Sequence, residues 1–495
     1  MPSKSATAGR AVRNVLVSVG LIAVLAGCLT RNPATGDQDF TPFMSPDDEL
    51  KVGAQEHPKI LEQFDGVYGD PGVTGYVAEV GGRVAAKSEI PATQFRITVL
   101  NTPEMNAFAL PGGYVYITRG LMSLMNSEAE MAGVLAHEVG HVTARHTAKR
   151  YSQAQGVGIA AAVLGAATGS RALAQLGQAG GQAWLASYSR DQEFQADSLG
   201  VRYMSRAGYQ PAAQGDILSS LGRYHDFAAR INPGKAKGAS IFATHPQTPE
   251  RVRRAYRKAE GKGKPDAPRY RDRFLDHIDG MIYGDDPKNG FVRGRKFSHP
   301  TLRFAFEVPE GFQIRNGKAA VLARGPAETV MVFDMDSKAT QRSPDNIANY
   351  VKNVWARNLR FDKVQGTTIN GMAAATGTAT VRNKKGQFVV YVAAIRAEKR
   401  RLYRFLFSTP VRAAGAMVRR MDETVGSFRR MSAKEAAKLQ PLRIRVVTVK
   451  RGDTIEDFVK SMAVAQEPKR LFEVLNARTP DQPLKVGERV KVISK

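Results

Sequence analysis

A chain of 495 residues exceeds what one hydrophobic core organises, so two to four domains are expected. Its 43% hydrophobic and 24% charged content is globular and excludes a low-complexity or fibrous protein. A net charge of +26 calls for anionic surroundings, but no zinc finger, aromatic RNA-binding signature or basic zipper accompanies it. The chain is therefore read as meeting an anionic envelope surface and no nucleic acid.

Residues 1–28 begin with Lys4, Arg10 and Arg13, continue through the apolar run "VLVSVGLIAVLAG" and end at Cys28, the single cysteine. The apolar run is short for a bilayer span and has the proportions of a secretory signal. The ending "LAGC" resembles a bacterial lipobox, which implies lipidation of Cys28 and membrane attachment through that lipid. Leu29 stands where an aspartate would favour inner-membrane retention, so the inner, periplasmic face of the outer membrane is expected. Loss of residues 1–28 removes three bases and no acids, leaving +23. Residues 29–45 are polar, carry two prolines and read as a tether.

A first domain is expected over residues 46–275. It opens with helical spacing at Pro46–Tyr68 and Thr74–Ala86, followed by strands in "QFRITVL" and "AFALPGGYVYITRGLM". In "SEAEMAGVLAHEVGHVTARH", residues 127–146, Ser127 and Glu130 have capping-box spacing. Met131, Val134, Leu135, Val139 and Val142 form a core-facing stripe on what reads as one continuous helix. His137 and His141 are four apart, so both imidazoles face one side and can share a tetrahedral cation. Glu138 stands beside the pair, within reach of a metal-bound water; this is the HExxH arrangement of zinc metallopeptidases. A purely structural metal site would have no use for a base there.

Zinc needs a third protein ligand and one open position. Position 147 is Thr147, not histidine, and His146 lies too far around a continuous helix to join. Residues 156–186, rich in alanine and glycine, suit a close-packed helical hairpin, or a mobile lid or membrane-touching element. Downstream, "SRDQEFQAD" offers Glu193 and Asp197 four apart; one carboxylate can bind metal while the other fixes the tautomer of a ligand histidine. His245, in "THPQTPERV", can donate to an oxyanion, fill the metal's fourth position and hold the site latent, or cap the helix after Pro246. Arg251 reads as a structural salt-bridge partner.

The order of "NAFALPGGYVYITRGLM", the HExxH helix, "SRDQEFQAD" and "THPQTPERV" resembles the gluzincin metallopeptidases related to the CAAX prenyl proteases, in their soluble periplasmic branch. "NPATGDQDFTPFMSPDDELKVG" is similar to the opening of that branch's lipoprotein members. The resemblance spans residues 31 to about 260. It implies one Zn2+ per chain held by His137, His141 and Glu193, with Glu138 as catalytic base and Asp197 supporting a ligand from behind.

Residues 290–432 change to alternating strands, with Leu302, Phe304, Phe306 and Val308 on one face, a helix in "SPDNIANYVKNVWARNL" and a hairpin turning near Glu398. "HPTLRFAFEVPEGF" and "VGSFRRMS" resemble a Mog1/PsbP-like domain. Residues 443–495 read strand, helix, helix, strand; "RGDTIEDFV", "LFEVLN" and "LKVGERVKV" resemble a LysM domain, which implies peptidoglycan as a partner.

The expected fold class is therefore multidomain α+β: a mainly helical zincin domain, a middle α+β domain and a small βααβ module. The expected function is a zinc metalloendopeptidase of the bacterial envelope that degrades unfolded or misassembled proteins. The competing reading is a non-proteolytic cell-wall-binding or assembly scaffold, or chaperone, with a latent metal site.

Overall fold

The computed structural model describes residues 29–495 except 92–93, 154–186, 232–240, 247, 265, 318, 337–345, 384–385, 399–400 and 481. The signal segment with Cys28 and the alanine- and glycine-rich segment 156–186 lie outside the described residues. No helix among the described residues is long and apolar enough to cross a membrane.

The chain forms two compact units, one from residues up to Tyr283 together with Arg443–Ser494, the other from Gly284–Leu442. In the first, strands β1 (Leu29–Arg31) and β2 (Gln38–Phe40) pair antiparallel. Helices α1 (Pro46–Gln63) and α2 (Pro71–Ala85) follow, each with proline in its first turn and a side-chain cap from Ser45 or Asp70. Strands β3 (Arg96–Leu100), β4 (Ala107–Leu110) and β5 (Tyr114–Thr118) make a sheet in the order β3-β5-β4, with β4 antiparallel at one edge. Next come α3 (Arg119–Leu124), α4 (Glu128–Thr143), α5 (Arg190–Arg206), α6 (Ala213–Ile231), the short α7 (Ile241–Thr244), α8 (Pro249–Ala259) and α9 (Arg271–Ile278), then β6 (Ile282–Tyr283).

Two expectations are corrected here. The HExxH helix is not continuous to residue 146. It ends at Thr143, and Arg145 turns into the left-handed region at φ 54°. The orphan carbonyls at that end meet the presumed tether: Ala34 N–H donates to Thr143 O at 3.3 Å and Asn32 Nδ2 to Ala144 O at 3.1 Å. Residues 29–45 thus carry a hairpin seated on the end of α4, with Asn32, Ala34 and Met44 buried. Arg145 is held by Glu49 and by Met44 O.

The expected stripe on α4 is also too narrow, because all sixteen of its residues are buried. Its charged side chains therefore need internal partners. Glu128 accepts from Tyr76 Oη at 2.9 Å and Tyr209 Oη at 2.7 Å. Ser127 Oγ accepts from Glu130 N–H, and Glu130 in turn accepts from Asn126 N–H, one residue before the cap. Gly140 lets α5 approach closely, since a Cβ there would stand 3.1 Å from Leu199 Cβ and 3.2 Å from Ala196 O.

The second unit holds β7 (Phe291–Arg293), β8 (Lys296–His299), β9 (Phe304–Glu307), β10 (Gln313–Asn316), β11 (Val321–Arg324), β12 (Val330–Asp336), α10 (Ile347–Tyr350), β13 (Phe361–Ile369), β14 (Met372–Asn383), β15 (Gly386–Glu398), β16 (Arg401–Pro410), α11 (Ala414–Gly426) and β17 (Arg429–Arg430). Seven strands run in the order β10-β11-β12-β16-β15-β14-β13, all antiparallel, and four more in the order β17-β9-β8-β7. The expected hairpin near Glu398 is the β15–β16 pair. Alternation puts Phe304, Phe306, Phe333 and Phe405 into one aromatic core, which Phe428, in the turn between α11 and β17, completes.

The C-terminal segment has β18 (Leu442–Thr448), α12 (Ile455–Ser461), α13 (Pro468–Leu475) and β19 (Arg489–Ser494), the order read from the sequence. It is built into the first unit: β18 lies between β19 and β6 in one sheet. Lys491, fully buried, donates from Nζ to Ser123 O at 2.8 Å beside the start of α4.

Candidate metal centre

Helical periodicity on α4 and α5, plus the residue after α7, brings four donors to one buried point. His137 Nε2 and His141 Nε2 are 3.0 Å apart. His245 Nδ1 stands 3.3 Å from His137 Nε2 and 2.9 Å from Glu193 Oε1, and Glu193 Oε1 is 3.4 Å from His141 Nε2. Four donors around a tetrahedral zinc at about 2.0–2.1 Å would stand about 3.3–3.4 Å from one another, so this closed ring has the size of a zinc shell. The donor set, three imidazoles and a carboxylate, suits zinc. His137, His141, Glu193 and His245 could together hold a metal ion.

The supporting contacts orient the ligands. His137 Nδ1 lies 2.9 Å from Asp197 Oδ1, which turns Nε2 toward the other donors. Arg251 clamps Asp197 in turn, Nε to Oδ2 and Nη2 to Oδ1, both at 2.8 Å, and its Nη1 pairs with Glu193. Burial pushes the Asp197 carboxyl up, but Arg251 and His137 outweigh it and hold it at about 2. Burial likewise raises Glu193, and His245 and Arg251 reverse that to well below the carboxylate range. Glu138 is different. Burial raises it, its Oε2 has no hydrogen bond among the described residues and its Oε1 lies 3.6 Å from His245 Nε2.

A cavity of about 30 Å³, room for one water, is lined by His137, Glu138 and His245 on its polar side and by Ile217, Leu218 and Leu221 on its apolar side. The Glu138 oxygen, unpartnered among the described residues, is thus beside the donor ring in this pocket.

His137, Glu138, His141, Glu193, Asp197, His245 and Arg251, each singled out in the sequence, meet here. Of the three readings of His245, helix capping is excluded, since Thr248 is the cap of α8, accepting from Arg251 N–H. Sequence reasoning missed three neighbours. Tyr188 stacks on His141 with ring centroids 3.7 Å apart and carries Arg150 on its other face. Its N–H donates to Thr244 O, tying α7 to the site. His146, which the break in the helix at Ala144–Arg145 carries behind His141, is met there by Gln195 of α5. No local motif announces any of these. Arg251, read from the sequence as a salt-bridge partner, has Glu193 and Asp197 as its partners.

Residues 71–259 match peptidase family M48. The beta-barrel assembly-enhancing protease of Yersinia pestis is 30% identical over 199 residues, 38% of this chain and 40% of that protein. The mitochondrial metalloendopeptidase OMA1 of Schizosaccharomyces pombe is 30% identical over 221 residues, 44% of this chain and 60% of that protein. The chain thus spans about two fifths of the length of the bacterial relatives it matches. Among solved structures, cyanobacterial PsbP from Synechocystis sp. PCC 6803 aligns at 13% identity and a TM-score of 0.23, over 28% of this chain and 98% of that one.

Proposed function

We propose that this chain, whose residues 71–259 are a peptidase family M48 domain, is a zinc-dependent metalloendopeptidase of the bacterial envelope. The observation that carries the reading is a buried ring of zinc-sized spacing with an unpartnered glutamate oxygen beside it. A structural zinc site has no need of the second feature.

His137, His141 and Glu193 hold the ion, and Asp197 keeps His137 in the ligating tautomer. Bound zinc would supply a water acidic near neutral pH and polarise the substrate carbonyl. Glu138 takes the proton of the attacking water and passes it to the leaving amine. Strand β4 offers the sheet edge along which an extended substrate adds a strand. His245 occupies the place of the fourth donor in this conformation, so it must swing away before substrate enters, which also supports a latent resting state. Cleavage of an unfolded protein that His245→Ala accelerates and Glu138→Gln abolishes tests the assignment.

The relatives named for β-barrel assembly support, as substrates, unfolded or misassembled proteins of the outer membrane. Lipidation at Cys28 would hold the enzyme on the periplasmic face of that membrane. The βααβ module 443–495 would add peptidoglycan as a partner, and Gly284–Leu442 would be a PsbP-like module whose role is separate from catalysis.

A further inference from the structure

His146 is fully buried, and both of its ring nitrogens are engaged. Its Nε2 lies 2.8 Å from Gln195 Oε1 and its Nδ1 lies 2.9 Å from His141 Nδ1. These two distances fix a direction. An amide oxygen only accepts, so His146 Nε2 carries the proton. A neutral imidazole has one donor nitrogen and one acceptor, so His146 Nδ1 offers a lone pair. His141 Nδ1 must then donate to it. The remaining nitrogen of His141, Nε2, is left with a bare lone pair, and it faces His137 Nε2 at 3.0 Å and Glu193 Oε1 at 3.4 Å.

The geometry points to Gln195 and His146 as positioning residues that lock His141 in the one tautomer able to bind a metal. This rests on the metal reading given above. The two imidazoles of the HExxH helix are thus oriented by different means. His137 leans on the charged Asp197–Arg251 pair, whereas His141 leans on a neutral relay that ends in an amide. Reversing the amide reverses the relay: a donor at position 195 would place the proton of His146 on Nδ1, that of His141 on Nε2, and block the ligating atom. Gln195 and His146 touch neither substrate nor metal, so their effect is on the readiness of His141 alone.

Gln195 is only partly buried, so it can be exchanged without opening the core. In the full chain, zinc affinity is measured by competition with a chelating dye for the parent, Gln195→Glu, Gln195→Lys and His146→Phe. Glutamate keeps an acceptor and should bind zinc like the parent. Lysine presents only donors, and phenylalanine removes the acceptor for His141. Each should weaken zinc binding by about 10- to 100-fold, the usual effect of losing an outer partner.

Because His146→Phe can also disturb packing, nitrogen-15 NMR of the zinc-free protein supplies a second readout. His141 should be the Nδ1–H tautomer in the parent and Gln195→Glu, and shift toward Nε2–H in Gln195→Lys. Equal zinc affinity in parent and Gln195→Lys, an equal loss in Gln195→Glu and Gln195→Lys, or an Nε2–H His141 in the parent would each overturn the relay. A parent that takes up no zinc contradicts the metal reading instead, and the tautomer comparison then judges the relay by itself.

Discussion

His245 Nδ1 lies 2.9 Å from Glu193 Oε1, placing the histidine inside the ring of donors rather than at its margin. In the proposed zinc site, His245 would therefore fill the position that a zinc peptidase keeps for water. Replacing His245 with alanine should raise the rate of cleavage of an unfolded protein while loosening zinc, as one of four donors is lost. Rates and zinc affinity measured together check this. Unchanged values for both would remove His245 from the site.

Arg251 is the only cation within hydrogen-bonding distance of both Glu193 and Asp197 among the contacts of the described residues, and it is 2% exposed. Truncating one partner of a buried ion pair leaves the other charge unsolvated and typically costs about 3–5 kcal/mol. Arg251→Ala should lower stability to urea by that order. Arg251→Lys should recover only part of it, because the bidentate fork on Asp197 is gone. An Arg251→Ala protein as stable as the parent would make the clamp dispensable.

Gly140 sits between the two helices that carry the donors. A larger side chain there must push Leu199 and Ala196 away, and with them Glu193 on α5. Gly140→Val should cost about 1–3 kcal/mol and weaken zinc binding as well. Calorimetric melting with and without zinc separates the two effects. A variant that melts early but still gains the parent's full stabilisation from zinc would show that α5 keeps its place.

His299 tests the fold of the second unit by itself. Burial, followed by the charge of Arg401, holds its imidazole down at about 4, and its Nδ1 accepts from Leu302 N–H at 3.3 Å. The unfolded chain takes up that proton near the ordinary 6.5, so between pH 6.5 and 4 the unfolded state binds more protons. Stability contributed by the neutral ring is therefore complete above pH 6.5 and is lost as the pH falls toward 4. Denaturant titrations over this range should show the loss, and His299→Gln should flatten it. An identical pH slope in the variant would assign the proton elsewhere.

The candidate metal donors were legible because their spacing is local. An i, i+4 pair of histidines with an adjacent glutamate, and an i, i+4 pair of acids, each announce themselves within one helical turn. The strands of the second unit were legible for the same reason, since alternation has a period of two. The outer contacts were not. Arg251 meets Asp197 across 54 positions of sequence, and Asn32 meets Ala144 across 112. Such pairings depend on where the backbone turns, and the turn at Arg145 has no glycine to mark it. The same break moved His146 from a place where it looked irrelevant to one directly behind His141. The polar composition of residues 29–45 suggested a tether because three of the buried side chains that seat it, Asn32, Asp39 and Thr41, are themselves polar.

The most direct test of the central claim is cleavage of an unfolded protein by the full chain beside its Glu138→Gln variant, both at matched zinc content. The variant keeps the shape of the glutamate and all four donors but lacks the base. The account predicts cleavage by the parent and none by the variant, with zinc bound equally in both. Equal cleavage by the two proteins would contradict it.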